Sequence, residues 1–344
     1  MDIDIDYVQK TLVELLKIPS CGGYSREIVE RVRKEFEAFG VETRMTNKGA
    51  LIAEMPGKDS SRAVMLSAHV DTLAAMVREI KDNGRLRLTN IGGYAWGAYE
   101  AENATVKTMG GRDFSGVLLP DKASVHIFSD AAREAPRTED TMELRIDEDV
   151  RTKADTEKLG IAVGDFVFFD PKTRITENGF VKSRYLDDKA CVAVLLGAVK
   201  YLKEHKIQPS CTTYIYISNY EEMGHGISVL PEKVDEFVAL DIGTVGPGHT
   251  SDEHCVTIVA KDSRTPYNYE LRRKLVELAA EEKIDCRVDV HYRYGSDSSM
   301  GALYGLDTNF ACFGPGVDAT HHYERTHRDA LVNTLKLAVK YITA

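Results

Sequence analysis

Several histidine and acidic side chains stand directly beside apolar runs of the sequence. His69 closes the run AVMLSAH, and Glu221 and Glu222 follow TTYIYISNY. Two imidazoles, three carboxylates and a spare carboxylate are the side chains that a binuclear metal site needs. Two ions about 3.5–4 Å apart polarise a carbonyl and activate water, while a nearby carboxylate, here one of the pair Glu221 and Glu222, takes the water proton. The candidate metal ligands are His69, Asp187, Glu222, Asp241 and His321.

Taken singly, these residues have ordinary structural explanations. A histidine after a strand is usually a surface residue, and adjacent glutamates are usually solvated. Asp187 and Asp188 stand before a long apolar helix, where carboxylates commonly cap the first turn. Asp241 within VALDIG is less ordinary, because a carboxylate flanked by apolar residues needs a partner or a cation. The combination, rather than any one residue, indicates metal chemistry.

The elements around these residues alternate between strand-like and helical patterns. The run AVMLSAHVDT, residues 63–72, is nearly all apolar before His69, as in a buried strand, and residues 188–205 carry the pattern of a long helix. This alternation predicts an α/β fold, with a mixed central sheet and helices on both faces. Binding sites of such sheets lie at the carboxyl ends of the strands, where we expect the candidate ligands to meet.

Residues 75–165 have a different character. Short strand-like pieces such as RLRLTN and MELRID alternate there with turn residues and charges, and no long helix is predicted. We interpret this segment as a small inserted all-β domain of barrel type. The catalytic domain is then expected to consist of residues 1–74 and 166–344.

Composition and charge narrow the classes of partner. The net charge is −10 and the pI is about 5.6, without a dense basic run, which argues against nucleic acid and anionic membranes. The first residues, MDIDIDYVQK, contain no apolar signal core, and no apolar run approaches the ~18 residues of a membrane helix. The six cysteines form no CxxC pair and are expected to be buried, reduced thiols. We therefore expect a cytoplasmic protein.

Five segments resemble the motifs of one peptidase family. In chain order they are SAHVDTLAAMV, YLDDKACVAVLLG, SNYEEMGHG, VALDIG and THHYERTH. Their order and spacing resemble the glutamyl aminopeptidase family, the tetrahedral or TET-type group of co-catalytic metallo-aminopeptidases. The resemblance implies removal of N-terminal residues from peptides by an enzyme with two divalent metal ions. Zinc is the default, with cobalt or manganese as alternatives, since imidazole and carboxylate ligands suit all three.

The resemblance also implies how the metal ligands are shared. His69 and Asp241 would hold one ion, Glu222 and His321 would hold the other, and Asp187 would bridge both. The inserted domain would make a dimer contact and wall the substrate channel. The whole would be a homo-oligomer based on dimers, extending to a dodecamer.

Three further roles follow from the same resemblance. Glu221 would be the general base and acid. Asp71 would hydrogen-bond His69 and fix its tautomer, as metal-bound histidine usually requires. Asp188 would shape the turn after the bridging ligand.

The last motif and the substrate pocket depart from the common pattern. In ATHHYERTH, His322 is the main rival of His321 for the ligand position, and His327 is a further candidate. Thr72 and Leu73 stand where many relatives carry an acidic and a small residue, which leaves the substrate preference open. The segment RYGSDSS, with Tyr294 and Asp297, contacts either the substrate or only its own loop.

Other functions use similar residues. A deacylase or a carboxypeptidase-type amidohydrolase on the same scaffold would need nearly identical ligands. A binding protein without activity would have no use for Glu221 beside Glu222. A glycosidase needs two carboxyl groups about 5–9.5 Å apart, but it leaves His69 and His321 without a role.

Overall fold

The computed structural model describes residues 1–227, 229–231 and 233–344. It divides into two compact units. The larger unit consists of Met1–Thr72 and Lys172–Ala344, and the smaller one is Leu73–Pro171. The smaller unit therefore starts slightly before, and ends slightly after, the expected insertion at 75–165.

Helices and strands follow one another in three stretches of the chain. The first stretch contains α1 (Ile5–Leu16), α2 (Arg26–Ala38), β1 (Glu42–Met45), β2 (Leu51–Met55) and β3 (Asp59–His69). The second contains β4 (Ala74–Ile80), β5 (Leu86–Ile91), β6 (Asn103–Lys107), β7 (Asp113–Pro120), α3 (Val125–Phe128), α4 (Asp130–Glu134), β8 (Met142–Ile146), α5 (Lys153–Lys158) and β9 (Phe166–Phe169). The third contains β10 (Arg174–Ile175), β11 (Phe180–Ser183), α6 (Leu186–Glu204), β12 (Cys211–Ser218), β13 (Glu236–Leu240), β14 (Gly243–Val245), β15 (Val256–Lys261), α7 (Tyr269–Glu281), β16 (Cys286–Val290), α8 (Asp297–Leu303), β17 (Asn309–Asp318), β18 (Glu324–His327) and α9 (Arg328–Thr343).

A large mixed sheet forms the centre of the larger unit. Its strands follow the order β1-β2-β12-β3-β13-β17-β18-β11-β10, with β14 and β15 paired to β17 and with β16 paired to β15. Strand β3 lies between β12 and β13 and is parallel to both. Its last seven residues are all buried, as the apolar run in the sequence predicts. The predicted α/β fold with a mixed central sheet is confirmed.

Helix α6 is the most deeply buried helix near this sheet. Every residue from Leu186 to Val199 is buried, and the helix packs on β3, α1 and α9. Such a helix carries apolar residues all round rather than on one face. The six cysteines are unpaired thiols, and all but Cys286 are buried. Among the described residues, no helix has the length and apolar character needed to cross a membrane.

The smaller unit is a closed antiparallel barrel with strand order β4-β5-β8-β7-β6-β9. Each strand contributes buried apolar side chains, namely Val77, Leu86, Leu88, Val106, Leu118, Leu144 and Val167. Strand β9 pairs with both β4 and β6, so it belongs to the barrel, whereas the boundary expected at residue 165 would have excluded it. Helices α3, α4 and α5 are short, with 4, 5 and 6 residues.

Candidate metal centre

Three parallel strands bring chemically active residues to one edge of the large sheet. His69 is the last residue of β3 and lies opposite Ser218, the last residue of β12. Glu221 and Glu222 follow three residues later in a short 3₁₀ turn. Strand β13, on the other side of β3, ends at Leu240, and Asp241 comes next. Parallel neighbours end at the same edge, which explains why these side chains meet.

The start of α6 supplies the central carboxylate. Tyr185 has a left-handed backbone with φ of 70°, and neither Asp187 nor Asp188 has helical backbone angles. The peptide bond between these two aspartates is cis. The carboxylate of Asp188 accepts a hydrogen bond from the main-chain N–H of His69 at 3.2 Å, which ties this turn to the end of β3.

The predicted ligands form two groups that share Asp187. One group is His69, Asp187 and Asp241, and the other is Asp187, Glu222 and His321; within each group, one ligand atom per residue lies within 4.8 Å of the others. Nε2 of His69 is 3.2 Å from Oδ1 of Asp187, and Nε2 of His321 is 3.4 Å from Oδ2. The two oxygens of Asp187 therefore face one imidazole each, as a bridging carboxylate would.

The electrostatics of the site are dominated by buried acids. Burial raises the pKa of Glu222 to about 7, with His321 opposing this shift. Burial also raises the pKa of Asp241, and the negative charge of Asp187 adds to that effect. For Asp187 itself, hydrogen bonds with His321 and His69 outweigh burial and lower the pKa. The chain thus places more buried carboxylates here than its own positive groups can neutralise.

Glu221 lies beside the first group without belonging to it. Its Oε2 is 3.7 Å from Nε2 of His69, and its side chain is 13% exposed. Burial raises its pKa well above the ordinary value, and nearby Asp241 and Asp297 reinforce the shift. A carboxylate with a raised pKa is suited to accept a proton and then release it near neutral pH.

Asp71 differs from its expected arrangement. Nδ1 of His69 lies 2.9 Å from the main-chain oxygen of Asp71, whereas the carboxylate oxygen Oδ1 is 3.6 Å away. The carboxylate instead accepts the main-chain N–H groups of Glu221 at 3.1 Å and of Glu222 at 3.2 Å. Asp71 therefore orients His69 through its backbone and the two glutamates through its side chain.

The three histidines of the last motif have different surroundings. His321 is 34% exposed, and its Nε2 is 3.5 Å from Oε1 of Glu222. His322 is exposed, and its Nδ1 accepts the N–H of Tyr323. His327 is buried at the start of α9, where its Nε2 lies 2.7 Å from the main-chain oxygen of Asn178. Only His321, of these three, joins the group around Asp187.

Sequence reasoning missed Glu324 as a part of this site. Its carboxylate accepts the main-chain N–H of Asp187 at 3.1 Å and that of His321 at 3.1 Å, so it connects two predicted ligands. Burial, together with the charge of Asp187, raises the pKa of Glu324 to about 8. Its position in the motif THHYERTH, three residues after His321, is the sequence feature that could have predicted this role.

Tyr294 and Asp297 of the RYGSDSS segment both lie at the site, Tyr294 partly buried and Asp297 buried. Tyr294 hydrogen-bonds Asp241, and its hydroxyl is 3.8 Å from Sγ of Cys312. Asp297, the first residue of α8, accepts a hydrogen bond from the hydroxyl of Ser218. These contacts give both residues a supporting role at the ends of β12 and β13.

Comparison with known proteins decides the family. The model of the M42 glutamyl aminopeptidase family matches residues 49–337. The chain belongs to this family. It is 44% identical to the Bacillus subtilis protein YhfE, which is named as an aminopeptidase, over 97% of this chain and 98% of that protein. This M42 protein is therefore a metal-dependent aminopeptidase, a hydrolase of peptide bonds, and a deacylase or carboxypeptidase is not favoured.

Solved structures support the fold of this M42 aminopeptidase. A TET aminopeptidase from a marine-sediment archaeon of the Thaumarchaeota superposes with a TM-score of 0.86, at 17% identity, covering 98% of this chain and 96% of that chain. The TET1 peptidase of Pyrococcus horikoshii gives a TM-score of 0.83, at 20% identity, covering 98% and 99%. The mixed sheet and the barrel thus follow the architecture of TET aminopeptidases.

Proposed function

We propose that the M42 aminopeptidase holds two divalent metal ions in the two groups that share Asp187. His69 and Asp241 complete one site, and Glu222 and His321 complete the other. The observation that carries the proposal is the convergence of the other four side chains around the carboxylate of Asp187. Oε1 of Glu222 is available as a metal ligand, because this oxygen is buried and accepts no hydrogen bond from any described residue. Imidazole and carboxylate donors suit zinc, with cobalt or manganese as alternatives.

Glu221 is the proposed general base and acid. When bound, the ions polarise the scissile carbonyl and lower the pKa of water. Glu221 accepts the proton of the attacking water on a carboxylate oxygen and passes it to the departing amine. Asp71 holds the main-chain N–H groups of Glu221 and Glu222, so it positions the base and one ligand together.

The proposed substrates are peptides with a free amino terminus, and the proposed location is the cytoplasm. We also propose a homo-oligomer based on dimers, extending to a dodecamer. Support comes from the Pyrococcus horikoshii TET1 peptidase, which is described as assembling into a tetrahedron or a large octahedral shell. The barrel, residues Leu73–Pro171, is the proposed dimer contact and channel wall.

Metal analysis combined with a substrate panel tests this function. Purified protein, dialysed free of loose metal, is expected to retain two zinc, cobalt or manganese ions per chain. It is expected to cleave aminoacyl-arylamides but not the same compounds with a blocked amino group. Cleavage of the blocked compounds alone, or full activity without bound metal, would contradict the proposal.

A further inference from the structure

A second cluster of histidine and carboxylate side chains lies in the C-terminal third of the chain. His249 belongs to the loop after β14, Asp289 is on β16, and His291 follows that strand directly. Asp289 and His291 are two residues apart, so in extended backbone they face the same side. Both are buried, whereas Val288 and Val290 between and beside them are exposed. None of the cluster residues belongs to the proposed catalytic centre.

The distances within the cluster match those between ligands of one metal ion. Oδ2 of Asp289 is 3.2 Å from Nδ1 of His249 and 3.7 Å from Nε2 of His291. Zinc binds nitrogen and oxygen at about 2.0–2.2 Å, so two ligands of a tetrahedral ion are about 3.3–3.6 Å apart. An ion could therefore enter with only small movements of the side chains.

His291 has the property that most strongly points to a ligand. Its side chain is 1% exposed, and within the described parts of the chain neither ring nitrogen makes a hydrogen bond. An unpaired buried polar group is costly, so a partner is expected. Burial lowers the pKa of His291 to about 4, which leaves the ring neutral with a lone pair for a metal.

The carboxylate of Asp289 is held by hydrogen bonds to both oxygens, and its Oδ1 accepts the main-chain N–H of Val290 at 2.7 Å. Its Oδ2 accepts hydrogen bonds from the main-chain N–H groups of Thr250 at 3.0 Å and Ser251 at 3.1 Å, and from the Ser251 hydroxyl at 2.9 Å. Donors of this kind fix the orientation of a ligating carboxylate. His249 is 12% exposed, so an ion could reach the cluster from solvent on that side.

We propose that His249, Asp289 and His291 bind one further divalent transition-metal ion of the zinc class. Two imidazoles and one carboxylate leave a fourth position for water, as in zinc sites with three protein ligands. The ion would join the loop after β14 to β16, which pairs only with β15 among the described strands. This gives the site a structural role, because the ion would hold the loop against the strand.

Zinc stoichiometry of three single variants tests the proposal. The variants are His249→Ala, His291→Gln and, as a control, His126→Ala, which removes an exposed imidazole from α3. Each is stripped with a chelator, dialysed against the same buffered zinc solution and analysed for bound zinc. We expect His249→Ala and His291→Gln to bind one zinc per chain less than the wild type, and His126→Ala to bind the wild-type amount.

The test uses the difference in bound zinc between a variant and the wild type. This difference does not depend on how many ions the catalytic centre binds. Zinc should also raise the melting temperature of a wild-type sample more than that of His249→Ala. His249 lies in a partly exposed loop, so this variant tests the site even if His291→Gln fails to fold. Equal zinc content in the wild type and His249→Ala would overturn the proposal and leave water as the partner of His291.

Discussion

Two buried glutamates, one in each unit, have opposite electrostatic surroundings. In the barrel, Glu143 of β8 accepts hydrogen bonds from the side chains of Lys81 and Arg85, which lower its pKa despite its burial. At the edge of the large sheet, burial raises the pKa of Glu222 to about 7. The barrel supplies cations for its buried carboxylate from its own sequence, whereas the sheet edge does not. This difference between Glu143 and Glu222 indicates that the edge of the large sheet needs cations from outside the chain.

The largest predicted effect is on turnover at the sheet edge. Glu221→Gln removes the proposed base but no proposed ligand, so turnover of an aminoacyl-arylamide should fall by about 10²–10⁴-fold. Bound metal should stay at the wild-type amount. Glu177→Gln, an exposed glutamate of the same unit, is the control. Wild-type turnover by Glu221→Gln would remove this residue from the mechanism.

The pair His321 and His322 gives a matched test of the second metal. His321→Ala should release one ion per chain and lower turnover by at least about 100-fold, because a catalytic ion contributes several kcal/mol. His322→Ala, next to it but exposed, should leave both quantities near wild type. Metal analysis and steady-state kinetics measure the two effects. The reverse pattern would assign the ligand to His322.

A smaller loss is predicted for the residue that orients both glutamates. Asp71→Asn keeps the size of the side chain but weakens its hold on the main-chain N–H groups of Glu221 and Glu222. Turnover should fall by about 10–100-fold, as is typical for partners of metal ligands. The control is Asp59→Asn, which changes an exposed carboxylate at the start of β3 that accepts the N–H of Ser61. Equal kinetics in both variants would count against positioning by Asp71.

In the barrel, the corresponding change should affect stability and leave chemistry unchanged. Glu143→Gln replaces a buried carboxylate with a neutral amide and so leaves Lys81 and Arg85 without their ion-pair partner. The free energy of unfolding should fall by about 1–3 kcal/mol near pH 7. Bound metal should not change. Denaturant unfolding combined with metal analysis checks this, and loss of metal without loss of stability would contradict the comparison.

The same glutamate has a predicted pH dependence. Its pKa is lower in the folded chain than the ordinary 4.5. The stabilisation by Glu143 is therefore complete above about pH 4.5 and is lost as the pH falls through the lower folded pKa. The difference in stability between wild type and Glu143→Gln should shrink over that acidic range. A constant difference would show that the ion pairs are not its source.

Much of the sheet edge could be predicted from local sequence. The apolar run before His69 and the strand patterns before Glu221 and Asp241 indicate parallel strands, and parallel strands end together. Asp187 was also recognisable from the sequence, because it belongs to the motif YLDDKACVAVLLG at the start of a helix. The choice among the histidines of the last motif was not settled by pattern, because only the tertiary structure distinguishes exposed His322 from half-buried His321.

Other features depend on contacts between distant segments. The carboxylate of Asp71 accepts hydrogen bonds from main-chain groups some 150 residues later, and this contact cannot be predicted from sequence spacing. Glu324 reaches Asp187 across a separation of 137 residues. The barrel boundary lies after β9 because that strand pairs with β4, which is again a non-local contact. Local patterns predict elements, but hydrogen-bond partners follow from how the elements assemble.

Anomalous diffraction at the zinc edge, from crystals of the zinc-loaded protein, tests whether two metal ions share Asp187. We expect two peaks about 3.5–4 Å apart, with Asp187 in contact with both. His69 and Asp241 should contact one peak, and Glu222 and His321 the other. Crystals that contain zinc but show no peak beside Asp187 would rule out the proposed metal centre.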